Sequence, residues 1–299
     1  MSHEPIPILL NPAAGRGRAA RYADSIVQIL ESHGIQSTLM LSTAVGDLER
    51  LASEQAVAGA GRLIVAGGDG SVHEVVNGIL KVAGKAALGL IPIGTGNDFA
   101  KATDTPLDWK AAASRLAERL RHGVPPRTAD AGRINGRFFA NGVGIGFDAK
   151  INRIARKYNW PIGDFVYLFA VFEGLWDGVI TPKVEMTFDG GRHSGPITLA
   201  NISNGPWVGG MFHIAPMARI DDGHLDLVFA KPVTRSRVIA LLPRLIKGTH
   251  IGAADICTRE IRQFQLIAQE PVPCHVDGET QPLQTEFRIE IMQRALSLL

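Results

Sequence analysis

Apolar and polar positions in the first 120 residues follow two alternating periods. Short apolar runs end at Gly, Asn or Pro and predict buried strands, and the segments between them carry apolar residues at helical spacing. Strands that alternate with helices indicate a parallel sheet with helices on both faces. The strands are predicted at residues 6–10, 36–41, 63–66 and 87–93, and the helices at 19–32, at 46–58 and from the segment after residue 66 to about Lys81.

The pattern changes after Pro125-Pro126, where short strands separated by Gly, Asn or Asp turns predict an antiparallel β domain, either a sandwich or an open barrel. We therefore place one domain at residues 1–126 and a second at 127–299. The second domain also contains two predicted helices, around 164–176 and 234–247. Its strands are predicted at 128–134, 137–144, 183–188, 197–203, 224–229, 264–268, 272–277 and 287–292.

Composition narrows the class of protein. The 299 residues contain 31 Lys and Arg against 29 Asp and Glu, so the net charge is only +2 and nucleic-acid binding is not expected. Two cysteines build no disulfide framework, which favours a reducing compartment. With neither a signal-peptide pattern nor a run of about 20 apolar residues, a cytoplasmic protein is expected.

Three glycine-rich loops follow predicted strands, at residues 11–17, 67–71 and 92–98. In an open α/β sheet, loops at the carboxyl ends of the strands share one edge, where ligands bind. The loop Gly67-Gly-Asp-Gly-Ser71 also begins a helix, so its backbone N–H groups suit a nucleotide phosphate, and Asp69 suits the accompanying Mg²⁺. The alternative is a structural turn in which Asp69 only caps the helix.

Other phosphate and hydrolase motifs do not fit. The chain lacks the Walker A lysine pattern, a GxSxG elbow, the kinase HRD and DFG motifs, and a GxGxxG after the first strand. The repeat Gly142-Val-Gly-Ile-Gly146 lies in the β domain, where a glycine-lined bend is expected.

Five motifs occur together and in order. They are Asn11-Pro-x-x-Gly15, Gly67-Gly-Asp-Gly-Ser-x-x-Glu74, Pro92-Ile-Gly-Thr-Gly-Asn-Asp98, Asn141-Gly-x-Gly-x-Gly-Phe-Asp148 and Val276-Asp-Gly-Glu279. This combination closely resembles the diacylglycerol kinase catalytic-domain family of soluble bacterial lipid kinases and their eukaryotic relatives. The resemblance implies a Rossmann-like, three-layer nucleotide-binding α/β domain, a C-terminal antiparallel β-sandwich, and a catalytic cleft between them.

The resemblance also implies ATP as a cofactor and assigns residues to it. Ser71 stands where the family usually has Thr, and the hydroxyl is kept. Thr43 by itself is typical of a helix N-cap, a role compatible with nucleotide contact. The implied ATP-binding residues are Asn11, Pro12, Ala13, Ala14, Gly15, Thr43, Gly67, Gly68, Asp69, Gly70, Ser71, Val72, His73 and Thr95.

Acidic residues carry the implied chemistry. Taken alone, Asp277-Gly278-Glu279 is typical of an exposed hairpin turn, but the resemblance makes Glu279 the proton acceptor. Asp277, Asp69 and Asp130 would support it around the catalytic Mg²⁺. A second, structural Mg²⁺ is implied at Asp222, with the carbonyls of Arg219 and His224, although Asp221-Asp222-Gly223 alone is simply a good turn.

The implied acceptor is a membrane lipid, with diacylglycerol the first choice and ceramide, sphingosine or another lipid alcohol as alternatives. A soluble-substrate kinase resembling NAD kinases, or a non-catalytic binding protein, is less favoured. Basic residues segregate into acid-free stretches at 5–23, 149–163 and 227–254, so peripheral contact with the anionic inner face of the membrane is expected. The apolar segment Phe165–Phe172 is expected in the core or, alternatively, as the wall of an acyl-chain slot. The oligomeric state stays open, with a homodimer among the options.

Overall fold

The chain divides after Asp130 into two units in the computed structural model, which describes residues 4–158, 163 and 165–299. The first unit extends to Asp130 and includes the last residues, Arg294–Leu299, and the second is Ala131–Gln293. The predicted boundary after Pro126 lies near this division. The return of the last residues to the first unit was not predicted.

The first unit has a parallel sheet with the strand order β2-β1-β3-β4. The end of the chain adds beside β4, where Ser297 pairs in parallel with Ala87. The elements are β1 (Ile6–Leu10), α1 (Ala14–Ser32), β2 (Ser37–Leu41), α2 (Asp47–Val57), β3 (Arg62–Gly67), α3 (Asp69–Lys81), β4 (Ala87–Pro92), α4 (Asp98–Ala102) and α5 (Trp109–Arg121).

Alternation along the strands explains how the helices cover this sheet. Ile8, Leu10 and Ile64 point to one face, where they are buried with side chains of α1 and α5. Helices α2 and α3 pack closely together, and Gly78 allows this because a Cβ there would lie 2.4 Å from the carbonyl oxygen of Glu49. The predicted α/β fold of this part of the chain is confirmed.

The second unit contains two sheets. One has the order β12-β11-β10-β7-β14-β15, and the other contains β13, β8, β9 and residues of β16, β5 and β6. Its elements, with β5 and β16 shared between the units, are β5 (Arg127–Ile134), β6 (Arg137–Phe139), β7 (Gly142–Gly146), α6 (Phe147–Ala155), α7 (Phe165–Trp176), β8 (Lys183–Phe188), β9 (Gly191–Pro196), β10 (Leu199–Ser203), β11 (Leu225–Ala230), α8 (Arg235–Ile246), β12 (Ile256–Ile261), β13 (Gln263–Val272), β14 (Cys274–Val276), β15 (Glu279–Thr280) and β16 (Gln284–Leu298).

The two sheets of this unit share one apolar core. Val143 and Leu227 from the first sheet are buried with Met186, Leu266 and Phe287 from the second. Buried and exposed residues alternate along β8 and β13, as expected for strands with one face on the core. Strands β7 and β11 are buried throughout, and helix α6 packs against β7. The antiparallel β-sandwich is therefore confirmed, and the open-barrel alternative is not observed.

Several elements differ from the sequence expectations. The glycine-lined bend predicted at residues 142–146 is the straight strand β7, which pairs with both β10 and β14 and turns only at Gly146, where φ is 89°. Helix α6 and strands β9 and β12 were missed. Residues 159–162 and 164, within the predicted basic stretch 149–163 and at the start of the helix around 164–176, lie outside the described residues.

A helix that crosses a bilayer needs about 20 consecutive, mostly apolar residues. Within the described residues, no helix is both long enough and apolar enough to cross a membrane.

Candidate active site

Three glycine-rich loops meet at the carboxyl edge of the sheet in the first unit, after β1, β3 and β4. A Cβ on Gly94 would lie 2.5 Å from the Cα of Gly68, and a Cβ on Gly15 would lie 2.4 Å from the carbonyl oxygen of Ile93. Only glycine permits such close backbone approach. The structure therefore brings together the loops that the sequence analysis assigned to phosphate binding.

The loop after β3 leads directly into α3, whose first residue is Asp69 and whose N-cap is the extended residue Gly68. The first N–H groups of a helix lack partners within it and favour an anion. Asp69 does not occupy the cap position of its own helix. Its Oδ1 accepts the backbone N–H of Phe99 at 3.2 Å, which links this loop to the one after β4.

The next residues of α3 are largely interior. Ser71, Val72 and His73 are buried, and the hydroxyl of Ser71 packs against Gly67, where a Cβ would lie 2.3 Å from it. The amide of Asn77 donates to the carbonyl of His73 at 2.9 Å. These side chains pack within the unit, and Gly70 with the neighbouring backbone forms the more accessible part of the loop.

The loop after β1 is held by its own first side chain. Asn11 Oδ1 accepts the N–H of Ala13 at 2.9 Å. Gly15, Arg16 and Gly17 then have left-handed φ angles of 58°, 61° and 79°, so the regular part of α1 begins after them. This run gives the loop an irregular backbone at the same edge as the loop after β3.

Thr43 does not cap helix α2, as its sequence context had suggested. The N-cap is Gly46, with φ of 85°. The N–H and the hydroxyl of Thr43 both donate to Asp47 Oδ2, at 2.9 and 3.0 Å. The bond from the N–H of Thr43 contributes most to lowering the pKa of Asp47. Hydrogen bonds from the Arg50 guanidinium and from the Thr43 hydroxyl lower this pKa further.

Two residues in the loop after β4, Asn97 and Asp98, belong to one of the five motifs, but the sequence analysis assigned them no role. Thr95 is exposed, whereas Asn97 and Asp98 are buried. Asn97 has a left-handed φ of 50°, and its amide group both accepts from the N–H and donates to the carbonyl of Gly94, each at 3.0 Å. Asn tolerates this conformation better than most residues, which is the signal that could have identified it.

Asp130 is buried in the first unit, where its Oδ1 accepts the N–H of Arg294 at 2.6 Å. This bond fixes the last segment of the chain against β5. The structure places Asp130 and Asp69 in the first unit, and Asp277 and Glu279 in the second.

Asp277 anchors a turn in the second unit. It has a left-handed φ of 49° and is buried. Its carboxylate accepts three backbone N–H groups, from Ala140 at 3.0 Å, Asn141 at 2.8 Å and Gly142 at 2.9 Å. The interpretation of this segment as an exposed hairpin turn is therefore wrong for Asp277.

Glu279 follows on β15 and is partly exposed. Its carboxylate lies 2.7 Å from Nη1 of Arg156, which also donates to the carbonyl of Gly278 at 3.1 Å. The hydrogen bond to Glu279 raises the pKa of Arg156. Arg156 belongs to the basic stretch 149–163, and in the structure it pairs with the acidic turn.

A second polar pair beneath this turn was missed by sequence analysis. The N–H of Gly278 donates to His275 Nδ1 at 3.3 Å, and His275 Nε2 lies 3.4 Å from Asp148 Oδ2. Burial raises the pKa of Asp148, but His275 and the amide of Asn201 outweigh it and hold the value below its usual range. Gly144 leaves the space, because a Cβ there would lie 2.2 Å from Asp148.

The predicted structural metal loop is a tight turn. Asp222 Oδ1 accepts the N–H of His224 at 3.0 Å, and Gly223 has a φ of 79°. Close by, burial raises the pKa of Asp226 to about 7, with further contributions from Asp222 and Glu260. Carboxylate and carbonyl oxygens are the donors that Mg²⁺ prefers, and Asp222 and the backbone of this turn offer oxygens of that kind.

No group of three or more His, Cys, Asp or Glu side chains that could hold a metal ion occurs among the described residues. The catalytic magnesium site around Asp69, Asp130 and Asp277 stays a prediction. So does the site at Asp222.

An α/β unit with three converging glycine-rich loops, followed by a β-sandwich, defines the structural class, and comparison with known proteins identifies the family. Residues 5–126 match the diacylglycerol kinase catalytic domain, and residues 141–299 match the YegS C-terminal NAD kinase beta sandwich-like domain. The chain therefore belongs to the diacylglycerol kinase family and is a lipid kinase. Membership in a kinase family implies ATP as the co-substrate.

Individual relatives agree with this assignment. A diacylglycerol kinase from Bacillus subtilis (strain 168) is 29% identical over 91% of this chain and 88% of its own length. A YegS-like lipid kinase from Chromohalobacter salexigens is 30% identical over 85% and 80%. A crystal structure of a diacylglycerol kinase from Bacillus anthracis strain Sterne covers 100% of this chain and 97% of that one, with a TM-score of 0.75 and 23% identity, and it supports the fold.

Proposed function

We propose that the protein transfers the γ-phosphate of ATP to the hydroxyl of diacylglycerol, giving phosphatidic acid and ADP. The observation that carries this proposal is the convergence of the three glycine-rich loops through Gly15, Gly68 and Gly94. Relatives named diacylglycerol kinase support the choice of acceptor.

The phosphates of ATP bind on the first unit. The backbone around Gly68 and Gly70 and the N-terminus of α3 offer N–H groups to them, and Asn11 to Gly15 and Thr95 border the same edge. Asp69 lies at the first position of that helix, held by the N–H of Phe99. Phosphoryl transfer requires mainly positioning and charge neutralisation, which such a loop can supply.

The second unit supplies the base. Glu279 accepts the proton of the lipid hydroxyl. The hydroxyl oxygen attacks the γ-phosphorus, and the bond between the γ-phosphorus and the oxygen of the leaving ADP breaks. Arg156 holds the Glu279 carboxylate in position at 2.7 Å. Asp277 fixes the turn through three backbone N–H groups, so its role is positioning rather than proton transfer.

Mg²⁺ bound with ATP would neutralise phosphate charge, and Asp69, at the start of α3, would hold it from the first unit together with Asp130. A second cation would be held by Asp222 with the carbonyls of Arg219 and His224. Both assignments follow from oxygen donors of the kind that Mg²⁺ prefers.

The protein is proposed to act in the cytoplasm as a peripheral membrane enzyme. Diacylglycerol stays in the bilayer, and no helix among the described residues spans one, so the enzyme must come to the membrane surface. Basic residues favour the anionic inner leaflet.

The test is a radiolabelled-ATP assay with diacylglycerol, ceramide, sphingosine and NAD as acceptors. We expect diacylglycerol to be phosphorylated fastest, and Asp69→Asn to remove this activity while the circular dichroism spectrum is unchanged. Preferred phosphorylation of ceramide or sphingosine would replace the acceptor but keep the mechanism. Phosphorylation of NAD alone would overturn the proposal in favour of a soluble-substrate kinase.

A further inference from the structure

Helix α7 of the second unit presents a row of aromatic side chains to solvent. Phe165, Phe169, Phe172 and Trp176 recur at spacings of four, three and four residues and thus share one side of the helix. Trp176 is 86% exposed, and the three Phe side chains are at least half exposed. Every exposed Phe or Trp in the described part of the chain belongs to this helix. The expectation that this segment lies in the core is wrong for this side, which we name the α7 outer face.

The opposite side of α7 anchors the helix. Val166, Ala170 and Leu175 are buried in a cluster with Ile151 of α6. Gly174 allows close contact, because a Cβ there would lie 2.2 Å from the Cδ1 of Ile151. The aromatic row is therefore held outward by a packed helix and is not a frayed segment.

Basic side chains lie on the segments next to α7. Arg153 and Lys157 are exposed in and just after α6, which packs on α7, and the neighbour of Lys157, Tyr158, contacts Glu173 of α7. The guanidinium of Arg235 donates to the carbonyl of Trp176 at 3.3 Å.

The acidic residues beside this face already have partners. Glu173 is the sole charged residue within α7, and its carboxylate accepts the hydroxyl of Tyr158. Asp177 lies 3.8 Å from Nζ of Lys150. Among the described residues of α7 and of the end of α6, the exposed charge is consequently mainly positive.

We propose that the α7 outer face docks on an anionic lipid bilayer, with its aromatic side chains in the interface and Arg153, Lys157 and Arg235 against the headgroups. Aromatic side chains with flanking cations are the composition that binds at such surfaces. A second copy of this chain fits less well, because a twofold contact would place the same cations against each other. This inference rests on the proposed function, because a lipid acceptor is what requires the enzyme to bind a bilayer.

Vesicle sedimentation without nucleotide tests the docking directly. The variant Phe172→Ser/Trp176→Ser is expected to bind vesicles of phosphatidylcholine and phosphatidylglycerol at least about tenfold more weakly, since each side chain loses apolar surface buried in the interface. The matched control is Ile267→Ser, which removes another exposed apolar side chain of the same unit, on β13. Wild-type binding by the aromatic variant would overturn the proposal.

A charge-reversal variant, Arg153→Glu/Lys157→Glu, tests the contact with the headgroups in the same sedimentation experiment. Arg156 is left unchanged because it holds Glu279. This variant should lose binding to the mixed vesicles as salt-sensitive attraction disappears, and should bind pure phosphatidylcholine as wild type does. Equal binding to both vesicle types by wild type and variant would remove the headgroup contact from the proposal.

Two further measurements separate docking from catalysis and from self-association. Phosphorylation of a short-chain diacylglycerol dissolved below its micellar concentration should be unchanged in Phe172→Ser/Trp176→Ser. If wild type phosphorylates no lipid but binds vesicles through this face, the proposed function fails and the docking stands. If sedimentation velocity shows that the variant converts a dimer to a monomer while vesicle binding persists, the face contacts a second copy and the docking proposal is wrong.

Discussion

Two carboxylates separated by one glycine have different surroundings in this protein. Asp277 is buried and accepts three backbone N–H groups, whereas Glu279 is partly exposed and pairs with a single guanidinium. Two carboxylates that look alike in the sequence therefore differ in the structure. Asp277 stabilises the turn, and Glu279 is accessible. Asp277 and Gly278 form the left-handed turn between β14 and β15, whereas Glu279 already belongs to β15.

Substitution of these two residues should separate stability from catalysis. Asp277→Ala leaves three buried N–H groups without their charged acceptor, so we expect the free energy of unfolding to fall by about 2 kcal/mol or more. Glu279→Gln should change stability little but lower kcat by about 10²-fold or more, with the Kd for ATP unchanged. Urea unfolding and steady-state kinetics measure the two effects. A full kcat in Glu279→Gln would place proton removal elsewhere.

Asp226 should make stability depend on pH. Its folded-state pKa is raised to about 7, chiefly by burial, so the folded protein keeps a proton that the unfolded chain releases near pH 4. The contribution of Asp226 to the free energy of unfolding is therefore fully present below about pH 4. It is lost as the pH rises towards 7. Urea unfolding in the presence of a chelator should show this decline in wild type and a flatter profile in Asp226→Asn. Identical slopes in both proteins would contradict the assignment.

At the scale of elements, the glycine loops depend on contacts between backbones. Gly68 and Gly94 lie on different loops, yet neither can carry a side chain without displacing the other. The N–H of Phe99 on Asp69 adds a hydrogen bond across the same pair of loops. The edge of the sheet that is proposed to bind the nucleotide therefore depends on the ends of two strands together.

Gly94→Ala should therefore weaken ATP binding. The new Cβ would lie 2.5 Å from backbone, which cannot yield as a flexible side chain would, so the two loops must separate. Gly61→Ala is the matched control, because the space around its Cβ is open and its φ is not left-handed. Calorimetric titration with ATP should show a loss for Gly94→Ala alone. Equal affinities for the two variants would mean that the loops do not hold the nucleotide.

At the scale of the molecule, ligand binding should appear as added stability. A ligand that binds only the folded state at 100 times its Kd contributes about 2.7 kcal/mol. MgATP should therefore raise the Tm of wild type by several degrees in a calorimetric scan, and ATP with excess chelator should raise it less. Asp69→Asn, which lacks the proposed metal contact, should respond equally to both conditions. A wild-type Tm that ignores MgATP would argue against a nucleotide site.

The sequence by itself determined the two kinds of architecture and the location of the phosphate loops. Apolar periodicity and glycine placement are local properties, because a strand or a turn depends mostly on residues close in the chain. For that reason the sequence alone predicted the α/β half, the β-sandwich and the three loops. Helix α6 was missed because the glycine repeat before it directed the interpretation towards a bend.

Only the tertiary structure decided which groups face each other. Arg156 and Glu279 are far apart in sequence and meet because α6 packs beside β14 and β15. The sequence shows Arg156 only as part of a basic stretch, whereas the structure pairs it with the acidic turn. In the same way, the aromatic residues of α7 have the composition of a core, but a helix that packs on one side leaves its other side exposed. Side-chain partners follow from sheet register and helix packing, which short-range patterns do not encode.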